Sequence, residues 1–308
     1  MKNKKIFITG GAGFLGKNLI KRYYNDNEIT IYSRDEAKHY YIKKQFPKIN
    51  CIIGDVVDYN NLLRSSKGHN IGIFAASLKQ IEAVDQNPEV SIRTIINGAI
   101  NSRRVAEENN FDSACFISSD KSRAATTLYG AMKFVGGEAF IVNSDENSPK
   151  LTTAIYGNVL NSTGSIIPLI WDSIKNNYTL QLYSEEMTRF MLTIEEAIDV
   201  IENALDYNGY NIIPMAKSFK VKDLFEIYSE EFGLNFFTTK PRISEKLHEI
   251  MISKEEIPRI KIINGYYYMH YREIYNEVDL PNKEYSSRDF TLTKEELYDK
   301  LNKNNFFK

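Results

Sequence analysis

The 308 residues suffice for one large domain or two smaller ones, and 43% hydrophobic with 26% charged residues is an ordinary globular composition. The formal net charge of -1 and a pI near 6.5 argue against broad binding to nucleic acid or anionic membranes, which depends on surplus Lys and Arg. Since no apolar run approaches the roughly 20 residues of a membrane span, we expect a cytoplasmic protein whose partners are small molecules or further subunits.

Strands and helices are predicted to alternate over the first 160 residues. The short apolar runs KKIFITG, EITIYS, INCIIGD, NIGIFAAS and SACFISSD are typical of strands, and segments of helical spacing separate them. The longest of these runs from Pro88 to Asn109. This alternation predicts an α/β fold with a doubly wound parallel sheet of the Rossmann type over residues 1–160, which later segments can complete.

The second half of the chain is less regular. It mixes loops, short helices such as TIEEAIDVIENAL, and the Tyr-rich piece IINGYYYMHY, which resembles a strand. We predict a smaller C-terminal region over residues 161–308 that binds the substrate above the carboxyl edge of the sheet. The segment from Tyr266 to Tyr271 is either an interface or part of the core.

Residues that commonly bind metals are few and scattered. Cys51 and Cys115 each lie in an apolar run, which indicates buried thiols rather than a disulfide. The histidines show no ligand spacing: His39, His69, His248 and His270. We therefore expect no metal site.

The stretch TGGAGFLG lies between the first predicted strand and the first predicted helix. It places Gly10, Gly13 and Gly16, with Gly11 beside them, where a backbone can turn tightly and approach a pyrophosphate at a helix N-terminus. Phe14 begins that helix. This context favours a dinucleotide site over a tight glycine turn without a ligand.

The second strand indicates which dinucleotide is bound. A site for NAD usually ends this strand in an acidic residue, whereas here Ser33 and Arg34 follow, a hydroxyl and a guanidinium that suit the 2′-phosphate of NADP. The alternative is that Arg34 pairs with Asp35 or Glu36 on the surface. Further residues expected along the cofactor are Asp55 and Val56 at the adenine, and Ala75 and Ala76 after the fourth strand.

The stretch SSDKSRAATTLYGAMK contains the candidate catalytic groups. Tyr129 and Lys133 are four residues apart and share one face of a helix, where an ammonium would lower the pKa of the phenol and let it take a proton from a hydroxyl. Tyr40 and Lys44 have the same spacing but lie far from the carboxyl end of a strand. The Tyr129 pair follows a strand and a loop, where a doubly wound sheet places its chemistry.

Here the chain resembles the extended short-chain dehydrogenases/reductases, and within them the UDP-N-acetylglucosamine 4,6-dehydratases that invert C5. The stretches that carry the resemblance run in order from about residue 5 to 255: TGGAGFLG, YSRDE, GDVVD, AASLKQI, NPEVSIRTIINGA, SSDKSRAATTLYGAMK, YGNVLNSTGSIIP, MTRFMLT and RISEKLHEIMIS. The Asp-Lys pair and EKLHE are specific to that subfamily.

The resemblance implies a sequence of steps. Tyr129, helped by Lys133 and Ser119, would remove the 4-hydroxyl proton while C4 gives hydride to NADP⁺. Lys121 would take the proton from C5, and Asp120 in its protonated form would help the 6-hydroxyl leave as water. Hydride would return to C6, and C5 would be reprotonated from the opposite face.

These roles place opposite demands on adjacent residues. Lys121 must be neutral for part of the cycle, which we expect Lys133 and the oxidised nicotinamide to favour by lowering its pKa. Asp120 must be protonated, which needs a dry pocket. The alternative for the two residues is a surface ion pair.

For the nucleotide sugar, the resemblance implies a second set of residues. Arg189 and Arg242 are expected at the diphosphate, Glu245 at the ribose, with Asn158 and Lys79 also facing the substrate. For each of them the alternative is an ordinary solvated or capping side chain.

The chain departs from the family at three positions. Ile95 follows Thr94 where an Asn is common, Phe74 replaces a frequent His, and Ser244 replaces a usual Gly. The proposed chemical residues are unaffected. We expect a homo-oligomer, as in relatives.

Two other functions stay open. A nucleotide-sugar 4-epimerase shares the cofactor and the Tyr-Lys pair but needs no groups for eliminating water. A non-catalytic NADP-binding protein would need none of the four candidate proton-transfer groups, which are Asp120, Lys121, Tyr129 and Lys133.

Overall fold

The computed structural model describes residues 1–144, 149–241, 243–275 and 278–307. Strands and helices alternate along its first part, with a π-helical turn over Arg93–Asn97 joining α5 to α6. The elements are β1 (Lys5–Thr9), α1 (Phe14–Tyr23), β2 (Glu28–Ser33), α2 (Glu36–Gln45), β3 (Asn50–Ile53), α3 (Tyr59–Ser66), β4 (Ile71–Phe74), α4 (Ile81–Gln86), α5 (Pro88–Ile92), α6 (Gly98–Glu108), β5 (Ser113–Ile117), α7 (Leu128–Ile141) and β6 (Lys150–Ala154).

Over the described residues of the second part, the structure has shorter strands and four α-helices. They are β7 (Asn158–Val159), α8 (Ile166–Asn176), β8 (Leu180–Leu182), β9 (Thr188–Leu192), α9 (Ile194–Ala204), β10 (Tyr210–Pro214), β11 (Ser218–Lys220), α10 (Val221–Phe232), β12 (Phe236–Thr238), β13 (Ile250–Ile252), β14 (Ile260–Ile263), β15 (Tyr266–His270), β16 (Tyr285–Ser286) and α11 (Lys294–Lys303). The predicted helix TIEEAIDVIENAL is α9. It begins with a capping box, in which Thr193 and Glu196 each accept the other's backbone N–H.

The centre of the molecule is a nine-stranded sheet. Six strands run in parallel in the order β3, β2, β1, β4, β5, β6, which is the doubly wound order of dinucleotide-binding folds. The predicted α/β fold is therefore confirmed. β10 continues the sheet parallel to β6, and the hairpin of β15 and β14 adds two antiparallel strands.

The Tyr-rich segment is the inner strand of that hairpin. Asn264 and Gly265 form its turn with φ values of 49° and 82°, as an Asn-Gly hairpin turn requires. Tyr267 and Tyr268 are buried, so this part of the segment belongs to the core. Three strands from beyond residue 160 thus complete the sheet, and the division into two regions stays a prediction.

Both faces of the sheet are covered, because alternate side chains of each strand point in opposite directions. Ile6 and Ile8 pack on one face with α1 and α9, while Phe7 packs on the other with residues of α6 and α7. Cys51 and Cys115 lie in β3 and β5. Cys115 is buried as predicted, whereas Cys51 is only half-buried, because β3 is the edge strand of the sheet. Among the described helices, none has both the length and the apolar character that a membrane span requires.

Candidate active site

The loop between β1 and α1 forms part of a cleft of about 830 Å³ at the carboxyl end of the sheet. Gly10 has φ +69°, and a Cβ there would lie 2.9 Å from the backbone N of Ala76. A Cβ on Gly16 would lie 2.2 Å from the carbonyl oxygen of Gly11. Both positions therefore require glycine, and the loop keeps its backbone exposed to the cleft.

The structure brings the predicted cofactor residues together. Gly13 precedes α1, and no side chain of the described residues caps this helix, so its first N–H groups can bind a phosphate. Gly16 packs behind the loop, and the other predicted residues line the cleft: Gly10, Gly13, Phe14, Ser33, Arg34, Asp55, Val56, Ala75, Ala76, Tyr129 and Lys133. These residues fit a dinucleotide.

The cleft ends at the residues expected to select between NAD and NADP. The partner of Arg34 is Asp55, at 3.4 Å between Nη1 and Oδ2, rather than Asp35 or Glu36. Asp35 instead caps α2 by accepting the N–H of Lys38 at 2.9 Å. The Arg34 side chain is 58% exposed, which leaves its guanidinium accessible.

The candidate catalytic residues occupy one short turn and the helix that follows it. Ser119 caps a 3-10 turn over Asp120–Ser122 that leaves the end of β5, and Thr127 caps α7 by accepting the N–H of Gly130 at 3.1 Å. A Cβ on Gly130 would lie 2.1 Å from the carbonyl oxygen of Lys121. The glycine after Tyr129 thus lets α7 pack directly on the turn.

Asp120 is fully buried. Its Oδ1 accepts from Ser119 Oγ at 3.0 Å and from Lys121 Nζ at 3.1 Å, while its Oδ2 has no partner within the described part of the chain. Burial raises the pKa of Asp120, and the carboxylate of Glu249 adds to this, against the opposing effect of Lys121. The dry environment expected for an acid is present.

Lys121 lies between two carboxylates. Its Nζ is 3.1 Å from Asp120 Oδ1 and 3.3 Å from Glu249 Oε1, and a quarter of its side chain is exposed. Burial lowers the pKa of Lys121, but Asp120 and Glu249 together raise it above the usual value of a lysine. The expectation of a lowered pKa is therefore wrong for this arrangement, because two anions outweigh burial and the cations nearby.

Tyr129 and Lys133 share the inner face of α7 as predicted. Burial raises the pKa of Tyr129 to about 12; Lys121 and a hydrogen bond with Ser119 favour the ionised phenol, while Asp120 opposes it. Lys133 donates from Nζ to the carbonyl oxygen of Ile117 at 2.7 Å, and burial lowers its pKa to about 7. The cation that acts on Tyr129 here is thus Lys121, where the sequence predicted Lys133.

The predicted substrate residues fall into two groups. Lys79 and Asn158 line the cleft, and Lys79 Nζ donates to the carbonyl oxygen of Thr163 across it. Arg189 is buried, forms an ion pair with Glu245 and donates to the Thr188 carbonyl at 2.7 Å. Their role at the sugar stays a prediction. Arg242 lies outside the described residues.

The structure shows where the three residues that depart from the family pattern lie. Ile95 is buried in the π-helical turn and packs in one cluster with Tyr129. Phe74 packs edge-on against Phe140. Ser244 has φ +64°, in the left-handed region that favours glycine.

Glu249 is the functional candidate that the sequence reasoning missed. It is the last residue of EKLHE, a stretch noted for its resemblance, but only Glu245 within it was assigned a role. Among the described residues, no cluster of three or more His, Cys, Asp or Glu side chains could hold a metal.

Solved structures of other proteins share this fold. One named Pen, from Bacillus thuringiensis, superposes with a TM-score of 0.90 at 22% identity and covers 99% of each chain. The dTDP-glucose 4,6-dehydratase DesIV from Streptomyces venezuelae, solved with NAD bound, gives a TM-score of 0.70 at 16% identity over 79% of this chain and 86% of that one.

Relatives found by sequence comparison have a higher sequence identity to this chain than these structures have. A UDP-N-acetylglucosamine 4,6-dehydratase (inverting) of Campylobacter jejuni is 32% identical over 279 residues, covering 87% of this chain and 83% of its own. A UDP-glucose 4-epimerase of Rickettsia bellii is 32% identical over 282 residues, covering 86% and 82%. The profile of the polysaccharide biosynthesis protein family matches residues 6–270. The chain therefore belongs to this family of polysaccharide biosynthesis proteins.

Proposed function

We propose that the protein is an NADP-dependent UDP-N-acetylglucosamine 4,6-dehydratase that inverts C5 and yields a 4-keto-6-deoxy UDP-sugar for glycan biosynthesis. The observation that carries the proposal is the contact between Asp120 and Lys121, a buried carboxyl 3.1 Å from an amine beside Tyr129. Removing water across two carbons needs an acid at the leaving oxygen and a base at the neighbouring C–H. The relative from C. jejuni supports this assignment.

The cofactor, when bound, supplies a hydride acceptor for C4 and later a donor for C6. Tyr129 takes the proton of the 4-hydroxyl. Burial opposes the ionised phenol that this needs, while the charge of Lys121 and the hydrogen bond with Ser119 favour it. Lys133 is held by Ile117 at the inner face of the same helix. The 4-ketone then acidifies the hydrogen on C5.

Asp120 and Lys121 carry out the elimination. Asp120 gives a proton to the departing 6-hydroxyl, and its burial supports the protonated form. Lys121 takes the C5 proton. Once C6 has received hydride, a proton that derives from solvent adds to C5 from the opposite face and completes the inversion.

The first experiment is a reaction of the purified protein with UDP-N-acetylglucosamine in heavy water, followed by mass spectrometry and proton NMR. Loss of one water with deuterium at C5 of an inverted ring is the expected result. An unchanged mass would refute the dehydratase assignment for this substrate. Absence of any product while NADP still binds would favour a binding protein.

A nucleotide-sugar 4-epimerase is the second candidate. Relatives named UDP-glucose 4-epimerase reach 32% identity over most of the chain, as high as the dehydratase relative. The same NMR experiment distinguishes the two, because an epimerase gives a product of unchanged mass with C4 inverted. Asp120 and Lys121 would then have no chemical task.

The choice of NADP over NAD rests on Ser33 and Arg34. The exposed guanidinium of Arg34 suits a 2′-phosphate, which NAD lacks. We expect Arg34→Ala to weaken NADP binding by roughly tenfold, as the loss of one charge-assisted contact does, with little effect on NAD. Calorimetric titration with both dinucleotides tests this, with Lys44→Ala as control. Equal losses for both would contradict it.

An exposed apolar face supports the expected homo-oligomer. Leu128, Phe134 and Val135 are exposed on one side of α7, and Val90 and Ile100 are exposed on the neighbouring α5 and α6. Apolar side chains gathered on adjacent helices commonly mark an interface. We propose that a second copy of the chain covers this face.

A further inference from the structure

Glu249 is held rigidly beside the catalytic turn. It precedes β13, its backbone N–H donates to Ser287 Oγ at 2.9 Å, and its carbonyl accepts the N–H of Ser287 at 2.8 Å. Its side chain is only 4% exposed. These two hydrogen bonds hold the Glu249 backbone beside the turn, and burial confines its side chain, although this residue is far from Lys121 in the sequence.

Three cations surround the Glu249 carboxylate. Oε1 lies 3.3 Å from Lys121 Nζ and 3.9 Å from Arg189 Nε, and Oε2 lies 3.5 Å from Lys246 Nζ. Burial alone would raise the pKa of Glu249, but these cations lower it to about 2. The three cations therefore favour the ionised form of the carboxylate.

The charged and titratable groups that face this cluster balance one another. They are Asp120, Lys121, Tyr129, Arg189, Glu245, Lys246, His248 and Glu249. Tyr129 and His248 are neutral in their usual forms near pH 7. With Asp120 ionised in its resting pair with Lys121, three carboxylates and three cations remain. Removing the charge of Glu249 leaves a surplus positive charge next to Lys121.

We propose that Glu249 is a positioning residue that keeps one proton within the Asp120 and Lys121 pair, so that the pair can act as acid and base in one elimination. This inference rests on the proposed dehydratase function. Glu249 does not touch the reacting sugar in this account. It acts on the pair through its contact with Lys121 at 3.3 Å.

The proton balance shows why one retained proton is sufficient. In the resting ion pair, an N–H bond of Lys121 breaks and an O–H bond of Asp120 forms across their 3.1 Å contact. Lys121 is then neutral and takes the C5 proton, the C–H electron pair becomes the C5=C6 bond, and the 6-hydroxyl leaves with the C–O electron pair and the Asp120 proton as water. The pair ends as ammonium and carboxylate, as it began.

Glu249 raises the proton affinity of both members of the pair. Its negative charge raises the pKa of Lys121 and also that of Asp120. The shared proton is therefore retained to high pH. Without Glu249, we expect the pair to lose this proton at lower pH. Asp120 would then have no proton to give to the departing 6-hydroxyl.

The first test measures how acetylation of the Lys121 amine depends on pH and does not require enzyme activity. The full-length protein is treated with trace acetic anhydride across a pH series, and acetylation of each lysine is followed by peptide mass spectrometry. We expect the midpoint for Lys121 to fall by about one pH unit or more in Glu249→Gln, as loss of a buried ion-pair partner does. Glu185→Gln, which removes an exposed partner of Lys222, should leave Lys121 unchanged.

The second test measures the reaction. We expect Glu249→Gln to lower kcat by roughly tenfold or more with a smaller change in KM, and to move the alkaline limb of the pH profile to lower pH. Glu249→Asp keeps the charge and should restore the limb in part. Should Glu249→Gln fail to fold, Glu249→Asp is compared with wild type by the same acetylation series, where an intermediate midpoint is expected.

The outcomes separate this inference from the proposed function. An unshifted acetylation midpoint of Lys121 in the Glu249 variants would overturn the inference, whatever the enzyme's product. Absence of dehydration by the wild type would refute the proposed function, while a shifted midpoint would still establish the control of Lys121 by Glu249.

Discussion

Replacing Asp120 by Asn is predicted to separate the two halves of the proposed reaction. The amide has the shape of the carboxyl and can still accept from Ser119, but it has no acidic proton for the departing 6-hydroxyl. Lys121 keeps Glu249 at 3.3 Å, so no buried cation is left without a counter-charge. We therefore expect the fold and NADP binding to be retained.

The size of the effect follows from the role of the lost group. A positioned general acid contributes about 10²- to 10⁴-fold, which corresponds to about 3 to 5 kcal/mol of activation free energy. Asp120 is fully buried and has one oxygen without a partner in the described ranges, so solvent water does not readily replace it. We expect a loss of turnover in the upper part of this range.

The assay follows two signals. Mass spectrometry measures loss of water from UDP-N-acetylglucosamine, and nicotinamide absorbance measures oxidation at C4. Asp120→Asn should keep the second signal and lose the first. The control is Asp112→Asn, which removes an exposed partner of Lys4. Turnover of the Asn variant within threefold of wild type, a factor worth under about 1 kcal/mol, would refute the acid role.

The remaining predictions concern stability and assembly. Ser244→Gly should raise the free energy of unfolding, measured with urea, by about 0.5 kcal/mol, because glycine adopts the left-handed φ of this position without strain. Ser244→Ala does not relieve this strain, so equal effects of the two substitutions on stability would contradict the prediction. The contribution of Lys133 to the free energy of unfolding should rise from pH 7 to 10, because Lys133 binds more protons in the unfolded chain, at the ordinary pKa of a lysine, than in the folded protein, where its pKa is about 7. Lys133→Met should therefore be more stable at pH 7 by on the order of 2 kcal/mol after loss of its hydrogen bond, a gain that disappears by pH 10; a constant difference would refute the burial argument. Val135→Glu should lower the mass measured by light scattering, unlike Lys44→Ala.

Local patterns predicted the parts of the site that are local in sequence. The glycine loop, Tyr129 and Lys133 follow from spacing on one turn or one helix, and the structure places them on one cleft. Local patterns could not predict the complete sheet, because the pairing of β10 with β6 and β15 joins distant segments of the chain. Periodicity shows that a strand exists but not which strand it pairs with.

Charge states were the least predictable feature. Asp120 and Lys121 are neighbours in the sequence, but the raised pKa of Lys121 reflects the charge of Asp120 together with that of Glu249, which only the tertiary fold brings to it. The same holds for Arg34, whose partner is Asp55 at the end of another strand rather than a neighbour in sequence. An ion pair between distant residues leaves no periodic signal.

Two opposite environments meet at the catalytic turn, and the proposed chemistry depends on both. Burial alone lowers the pKa of Lys133 to about 7, and burial outweighs the opposing effect of Lys121 and raises the pKa of Asp120, so each is shifted toward its neutral form. One residue further along the turn, Lys121 is held as a cation by compensating carboxylates. An elimination needs a proton that can move between two groups. We expect this transfer to be easiest where a group shifted toward its neutral form, here Asp120, contacts a group stabilised in its charged form, here Lys121. The 3.1 Å contact of Asp120 with Lys121 lies at that boundary, which is why we expect substitution of either residue, or of Glu249 behind them, to abolish or slow the loss of water before it affects binding of the cofactor.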